Sequence, residues 1–335
     1  MHGVVGHHMA QRLLEREALL GKLSHAYLIT GPDQIGKTTL ALAFARLLQC
    51  RGRAKNSAEP CGVCDACRKI ATGAHPDVRL VIRPADKRTL PVELVREVIH
   101  AANLAPNIGP WRIFIIPEVE RMAAASANAL LKTLEEPPER VVLLLTSSEL
   151  EALLPTLVSR CQLVTTQSPT AGEIREALVA RWDVEPARAE QLTALAHGRI
   201  GWAIDAAQKP ELERARSEML ARLVALTGAS RDERLHAAGT LATDVETARS
   251  VVELWLFWWR DVVLAACGAR ARASAGDARA QAERQGQALG VERSQRFLAA
   301  LVAALEALEA NGNPQLTLEM LMLDLPSLPP VDARR

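Results

Sequence analysis

Two glycines, a lysine and a hydroxyl residue sit in the run Gly31-Pro32-Asp33-Gln34-Ile35-Gly36-Lys37-Thr38, at the spacing G-x4-G-K-[ST]. Glycines let backbone N–H groups curl around phosphate oxygens, and a helix starting there adds a favourable field. Lys37 would neutralise the β- and γ-phosphates and Thr38 would hold Mg²⁺. Thr39 opens the expected helix Thr39–Gln49, and the apolar run Ala26–Thr30 supplies the strand before the loop. This is the chemistry of a Mg²⁺–ATP site, with Gly31, Gly36, Lys37, Thr38 and Thr39 as its binding residues. A loop that merely holds phosphate is the bland alternative. Hydrolysis needs more: a carboxylate at the end of the next core strand, to place the metal. The strand Trp111–Ile116 runs instead into Pro117-Glu118. Proline has no carboxylate, and Glu118 alone reads as a solvated loop residue. ATP binding is therefore expected to be possible and its hydrolysis is not expected.

Cys50, Cys61, Cys64 and Cys67 follow at the spacing C-x10-C-x2-C-x2-C. Four thiolates so close in sequence can close a tetrahedral Zn²⁺ site, and a structural zinc would pin a segment with little core of its own. A redox C-x-x-C pair would explain only two of the four. The same stretch is locally basic, with Arg46, Arg51, Arg53, Lys55, Arg68 and Lys69 against Glu59 and Asp65. It could touch phosphates, but it lacks interleaved aromatics for stacking bases, so a solvated face is the simpler reading over an autonomous nucleic-acid reader. His75 is open between packing, capping a turn and a further metal ligand. Arg160, in Ser159-Arg160-Cys161, is either a surface charge or a group that reaches a neighbouring subunit's γ-phosphate.

The elements that must carry these residues follow from patterning. Short, continuously apolar runs at Ala26–Thr30, Val78–Ile82, Trp111–Ile116, Val141–Thr146 and Cys161–Thr165 alternate with helical patterns. Continuous apolarity implies strands covered on both faces, hence a parallel sheet with its ligand at the carboxyl ends of the strands. After Thr166 the pattern turns helical. Thr170 with Glu173, and Ser230 with Glu233, have the spacing of capping boxes, while Asp244 and Asn313 are placed to cap later helices. The expected plan is an α/β P-loop domain over 1–167 with a zinc module at 50–67, a small three-helix lid over 168–208, an all-α domain over 209–328 and a disordered tail over 329–335. The helix around Val251–Cys267 carries Trp255, Trp258 and Trp259; core packing and a subunit contact are both open for them.

Composition narrows the field. Lys and Arg number 40 against 39 Asp and Glu, so no overall charge draws the chain to nucleic acid or membrane. The best apolar run, Val251–Cys267, contains Glu253, Arg260 and Asp261, which argues against a membrane span. Met1–Gln11 lacks the pattern of a signal peptide, so a cytoplasmic location is expected.

Together these pieces resemble the bacterial DNA polymerase III clamp-loader family, whose ATPase domains are of the AAA+ type. The resemblance rests on His25-Ala26-Tyr27-Leu28 before the loop, the four-cysteine module with His75-Pro76-Asp77, the run Asn128–Pro138, Ser159-Arg160-Cys161, and Asn311-x-Asn313 at the last helix. They keep the family's order over nearly the whole chain. Gamma and tau motor subunits have an Asp-Glu pair after the third strand and a sensor arginine in the small helical domain. Here Pro117 and Gly201 stand at those places, with Arg199 two residues before the latter. These losses resemble the delta-prime branch, a stator that does not itself hydrolyse ATP; the complete P-loop departs from it. The resemblance implies a heteropentamer with delta and gamma/tau, joined through helical third domains as a collar, that loads the sliding clamp onto primer–template DNA. It implies Arg160 as an arginine finger in trans and zinc as a structural ion. It also implies no catalysis by this chain alone, although the DNA polymerase III holoenzyme, a DNA-directed DNA polymerase and nucleotidyltransferase, would contain it. The competing reading is a gamma/tau-like ATPase motor.

Overall fold

The computed structural model describes residues 3–54, 57–84, 86–269, 277–310 and 312–328. Lys55, Asn311, most of the loop Gly268–Asp277 and the tail 329–335 lie outside the described residues. Contacts divide the chain into two compact units, one of residues 1–177 with 198–202, the other of residues 178–197 with 203–335.

The first unit is built on five strands, β1 (Ala26–Thr30), β2 (Val78–Leu80), β3 (Arg112–Ile116), β4 (Val141–Ser147) and β5 (Gln162–Thr165). All pair in parallel in the order β2-β3-β4-β1-β5. Side chains alternate between faces along a strand. Tyr27, Ile29, Ile113, Ile115, Val142 and Leu144 join one core, packed with helices α1 (His8–Leu20) and α2 (Lys37–Gln49). Leu28, Phe114, Ile116, Leu143 and Leu145 join the other, with α4 (Val92–Ala102) and α5 (Ala124–Glu135). Both faces of the central strands are dry, which is why those strands read as unbroken apolar runs.

The edges behave differently from that expectation. β2 stops at Leu80, and Ile82, expected within it, is exposed. β5 pairs only with β1 and leaves Leu163 exposed, so an edge strand has one covered face rather than two. Between α2 and β2 lies the short helix α3 (Asp65–Ala71), and α6 (Pro155–Val158) precedes β5. Helix α7 (Ala171–Trp182) begins with the expected reciprocal cap: Thr170 N–H donates to Glu173 at 2.7 Å, and Glu173 N–H to Thr170 Oγ1 at 3.3 Å.

The second unit is helical: α8 (Pro186–Ala196), the remainder of α9 (Ile200–Gln208), α10 (Pro210–Ala225), α11 (Arg231–Leu241), α12 (Val245–Ala266), α13 (Asp277–Glu309) and α14 (Pro314–Asp324). Ser230 and Glu233 form a capping box, Asp244 accepts from Thr247 N–H at 2.9 Å, and Asn313 accepts from Leu316 N–H at 3.1 Å. Helix α13 breaks at Gly290, where φ is 74°. Helix α12 packs along α13, and Phe297 meets Trp255 and Trp259 in T-shaped contacts at centroid distances of 5.5 and 4.6 Å. Trp258 is buried as well and donates to Gln285 at 2.8 Å. Of the two roles open for these tryptophans, the structure selects packing within the unit. No helix among the described residues is long and apolar enough to cross a membrane.

Candidate nucleotide and metal sites

The P-loop sits where β1 must turn sharply into α2. Gly31 has φ 150°, and a Cβ there would lie 2.4 Å from Thr166 Oγ1, so only glycine fits. Gly36 caps α2 with φ 104°, and Ile35 anchors the loop in the core. Lys37 is buried; its Nζ donates to Gly31 O at 2.8 Å, Pro32 O at 2.7 Å and Ser148 Oγ at 3.1 Å. Burial draws its pKa below the usual lysine value, against the pull of Asp33, Glu120 and Glu118.

Gly36, Lys37, Thr38 and Thr39 line one cleft with Pro117, Glu118, Ser148 and Gly201, and Gly31 supplies a carbonyl to its lysine. The expected binding residues are thus brought together at the carboxyl ends of β1, β3 and β4. A helix start with a buried ammonium beside it suits a polyphosphate. Pro117 stands in that cleft directly after β3, where it offers no metal ligand. Glu118 is the partly solvated loop carboxylate expected, its side chain 44% exposed; it also adopts a left-handed backbone (φ 53°), lines the cleft and lies within 3.5 Å of Arg83 and 3.4 Å of Arg121.

Three contributors, Ser148, Glu120 and His7, were not visible in the sequence pattern. Ser148 links Lys37 to Glu120, whose Oε1 accepts from Ser148 N–H at 3.1 Å. His7 is buried, with Nε2 2.7 Å from Ile35 O, so the N-terminal segment braces the loop. Gly201 donates its N–H to Gln34 O at 2.8 Å, and a Cβ on it would meet that oxygen at 3.0 Å. A side chain at 201 would press on Gln34, which would have to give by a few tenths of an ångström.

Arg160 does not enter this cleft. It ends the turn after α6, with Nη2 2.6 Å from Glu135 and Nη1 donating to Thr156 O at 2.9 Å.

The four cysteines converge. One sulfur from each of Cys50, Cys61, Cys64 and Cys67 lies within 4.8 Å of the others, a separation a single ion can bridge. Cys50 ends α2, Cys64 caps α3 and Cys67 lies inside α3, so two helices and one turn supply all four. Cys61 N–H points at Cys50 Sγ (3.2 Å) and Cys64 N–H at Cys61 Sγ (3.3 Å). Such donors favour thiolates: the N–H groups of Cys64 and Val63 draw the Cys61 thiol down, while burial pushes Cys50 and Cys67 up. The donor set and spacing fit Zn²⁺. His75 lies outside the cluster; its Nδ1 accepts from Asp77 N–H at 3.1 Å, the capping role among those open for it.

Residues 6–170 match the family model described as "DNA polymerase III, delta subunit". Among curated relatives, "DNA polymerase III subunit delta'" of Pseudomonas aeruginosa is 39% identical over 177 residues, covering 52% of this chain and 53% of that protein. "DNA polymerase III subunit tau" of Escherichia coli K12 is 40% identical over 158 residues, covering 47% of this chain and 24% of that protein.

Over residues 6–170 the chain belongs to the DNA polymerase III clamp-loader family.

The clamp-loader relatives do not separate the subunit types, since delta' and tau are equally similar. The chain spans about half the length of the first and about a quarter of the second. Among solved structures, the crystal structure of a "DNA polymerase III, gamma subunit-related protein" from Thermotoga maritima aligns over 95% of this chain and 97% of that one, with 18% identity and a TM-score of 0.47. The parallel five-stranded sheet with its P-loop, flanking helices and four-cysteine module is the AAA+ arrangement expected of the family.

Proposed function

We propose that the chain is a delta-prime-type clamp-loader subunit, a stator that binds zinc, does not hydrolyse ATP on its own and offers Arg160 to the nucleotide of a neighbouring ATPase subunit. The observation that carries this reading is Pro117: the phosphate cleft is built, yet the position that should hold its metal is a proline. Gly201, tight against Gln34 O, supports it, because the sensor arginine is missing there and a side chain would crowd Gln34. In this reading residues 168–208 are the lid and residues 209–328 the collar. The partners are gamma/tau and delta, acting with the sliding clamp on primer–template DNA in the cytoplasm. Gly31, Gly36, Lys37, Thr38 and Thr39 would hold ATP if it binds, with Mg²⁺ on Thr38. Bound Mg²⁺ supplies charge neutralisation at the phosphates; this chain's residues would contribute the loop N–H groups and the Lys37 ammonium.

The intact P-loop and the cleft-facing Glu118 favour the second reading, a gamma/tau-like motor. Reconstitution with gamma/tau and delta tests the first. An Arg160→Ala chain is expected to assemble normally and to cause a partial loss of loader ATP turnover, because only the site it completes is affected. Unchanged turnover in the assembled complex contradicts the assignment of Arg160.

A further inference from the structure

We infer that Glu135 is the positioning residue for Arg160, fixing the guanidinium in the orientation in which it meets a partner's phosphate. The inference rests on the reading of Arg160 as an arginine finger. An exposed arginine on a turn ordinarily samples many rotamers, and ordering it on docking subtracts from the contact it makes. Arg160 is held beforehand. Nη2 lies 2.6 Å from the Glu135 carboxylate in an ion pair, while Nη1 donates to Thr156 O at 2.9 Å and to Ser159 Oγ at 3.4 Å. A guanidinium has five N–H donors. The two on Nη1 are engaged here and Nη2 rests against the Glu135 carboxylate, which leaves the Nε side of the fork for a phosphoryl group.

Glu135 is itself well fixed. It is the last residue of α5, Glu136 N–H returns to Lys132 O at 3.0 Å, and Pro137-Pro138 follows, so the carboxylate is carried on a rigid end. Both side chains keep part of their surface in water, 33% for Arg160 and 49% for Glu135. A pair this exposed contributes little to stability. Its consequence is orientation.

The test uses the full chain, alone and in the reconstituted loader, with Glu135→Ala, Glu135→Gln and Arg160→Ala. In the free chain, the Arg160 Nε–H resonance is expected to show a rigid side chain, and a mobile one in Glu135→Ala. In the loader, the Arg160-dependent part of ATP turnover is expected to fall about fivefold in Glu135→Ala, through kcat rather than KM. Glu135→Gln keeps an acceptor at the same place and should restore most of it. Glu135→Ala should add nothing in the Arg160→Ala background. Full turnover in Glu135→Ala, while Arg160→Ala lowers it, overturns the positioning role and leaves the finger intact. Raised turnover in Glu135→Ala overturns it too, since the carboxylate would then be sequestering the arginine. No effect of Arg160→Ala removes the finger reading and this inference with it, whatever the resonance shows.

Discussion

Removing zinc is expected to cost the four-cysteine segment its fold. Four thiols whose sulfurs lie within 4.8 Å of one another are held together only if something offsets their crowding. The segment has little else: between Cys50 and Ala71, Pro60, Ala66, Cys67 and Ile70 are its buried apolar residues among those described. Structural zinc sites contribute on the order of 10 kcal/mol of binding free energy that becomes folding free energy. The purified protein should carry one Zn per chain by elemental analysis. A strong chelator, or Cys64→Ser, should bring that toward zero and open the stretch 50–71 to proteolysis and hydrogen exchange. The sheet has its own two cores and should persist. Metal ligation needs thiolates, so acidification should release zinc and alkali should not. A chain that is metal-free as purified yet protected over 50–71 would contradict this.

Asp77 should be the most sensitive single charged residue of the first unit. Its carboxylate is buried, and it accepts backbone N–H bonds from Asn107 at 2.6 Å and from Ile108 and Gly109 at 2.8 Å each. These bonds tie the start of β2 to the loop that enters β3. Asp77→Ala leaves three donors without an acceptor and should destabilise the unit by about 3 kcal/mol or more. Burial pushes the Asp77 carboxyl up, but the three N–H groups outweigh it, and the result lies below the ordinary 3.8. The sign follows: a depressed native pKa contributes stability that is complete above the unfolded-state value near 4 and is lost as pH falls through the native one. The gap between wild type and Asp77→Asn in chemical denaturation should therefore be widest near pH 7 and narrow below about pH 4. A gap that widens on acidification would contradict the argument.

What could be read from the sequence was local. The P-loop spacing, the cysteine spacing and the four helix caps each depend on residues within a few positions of one another, and the structure has all of them. The strands were legible because both faces of the central ones are buried. β2 and β5 read less well because an edge strand's exposure depends on what lies beside it. The rest of the site comes from distant pairs. Ser148 meets Lys37 across 111 positions, and Gly201 meets Gln34 through a segment that returns to the first unit. Glu118 is the loop carboxylate it reads as, and its place in the cleft depends on residues as distant as Ser148 and Gly201. The tryptophans of α12 could be core or contact from their spacing; Phe297 and Gln285, on another helix, decide it.

Steady-state ATP hydrolysis by the purified chain with Mg²⁺, with Lys37→Ala as the blank, goes most directly to the central claim. A phosphate cleft with Pro117 after β3 and glycine rather than arginine at 201 should give no turnover above the blank. Turnover that disappears with Lys37 would mean that Glu118 or another group compensates for Pro117, and would make the chain a motor rather than a stator.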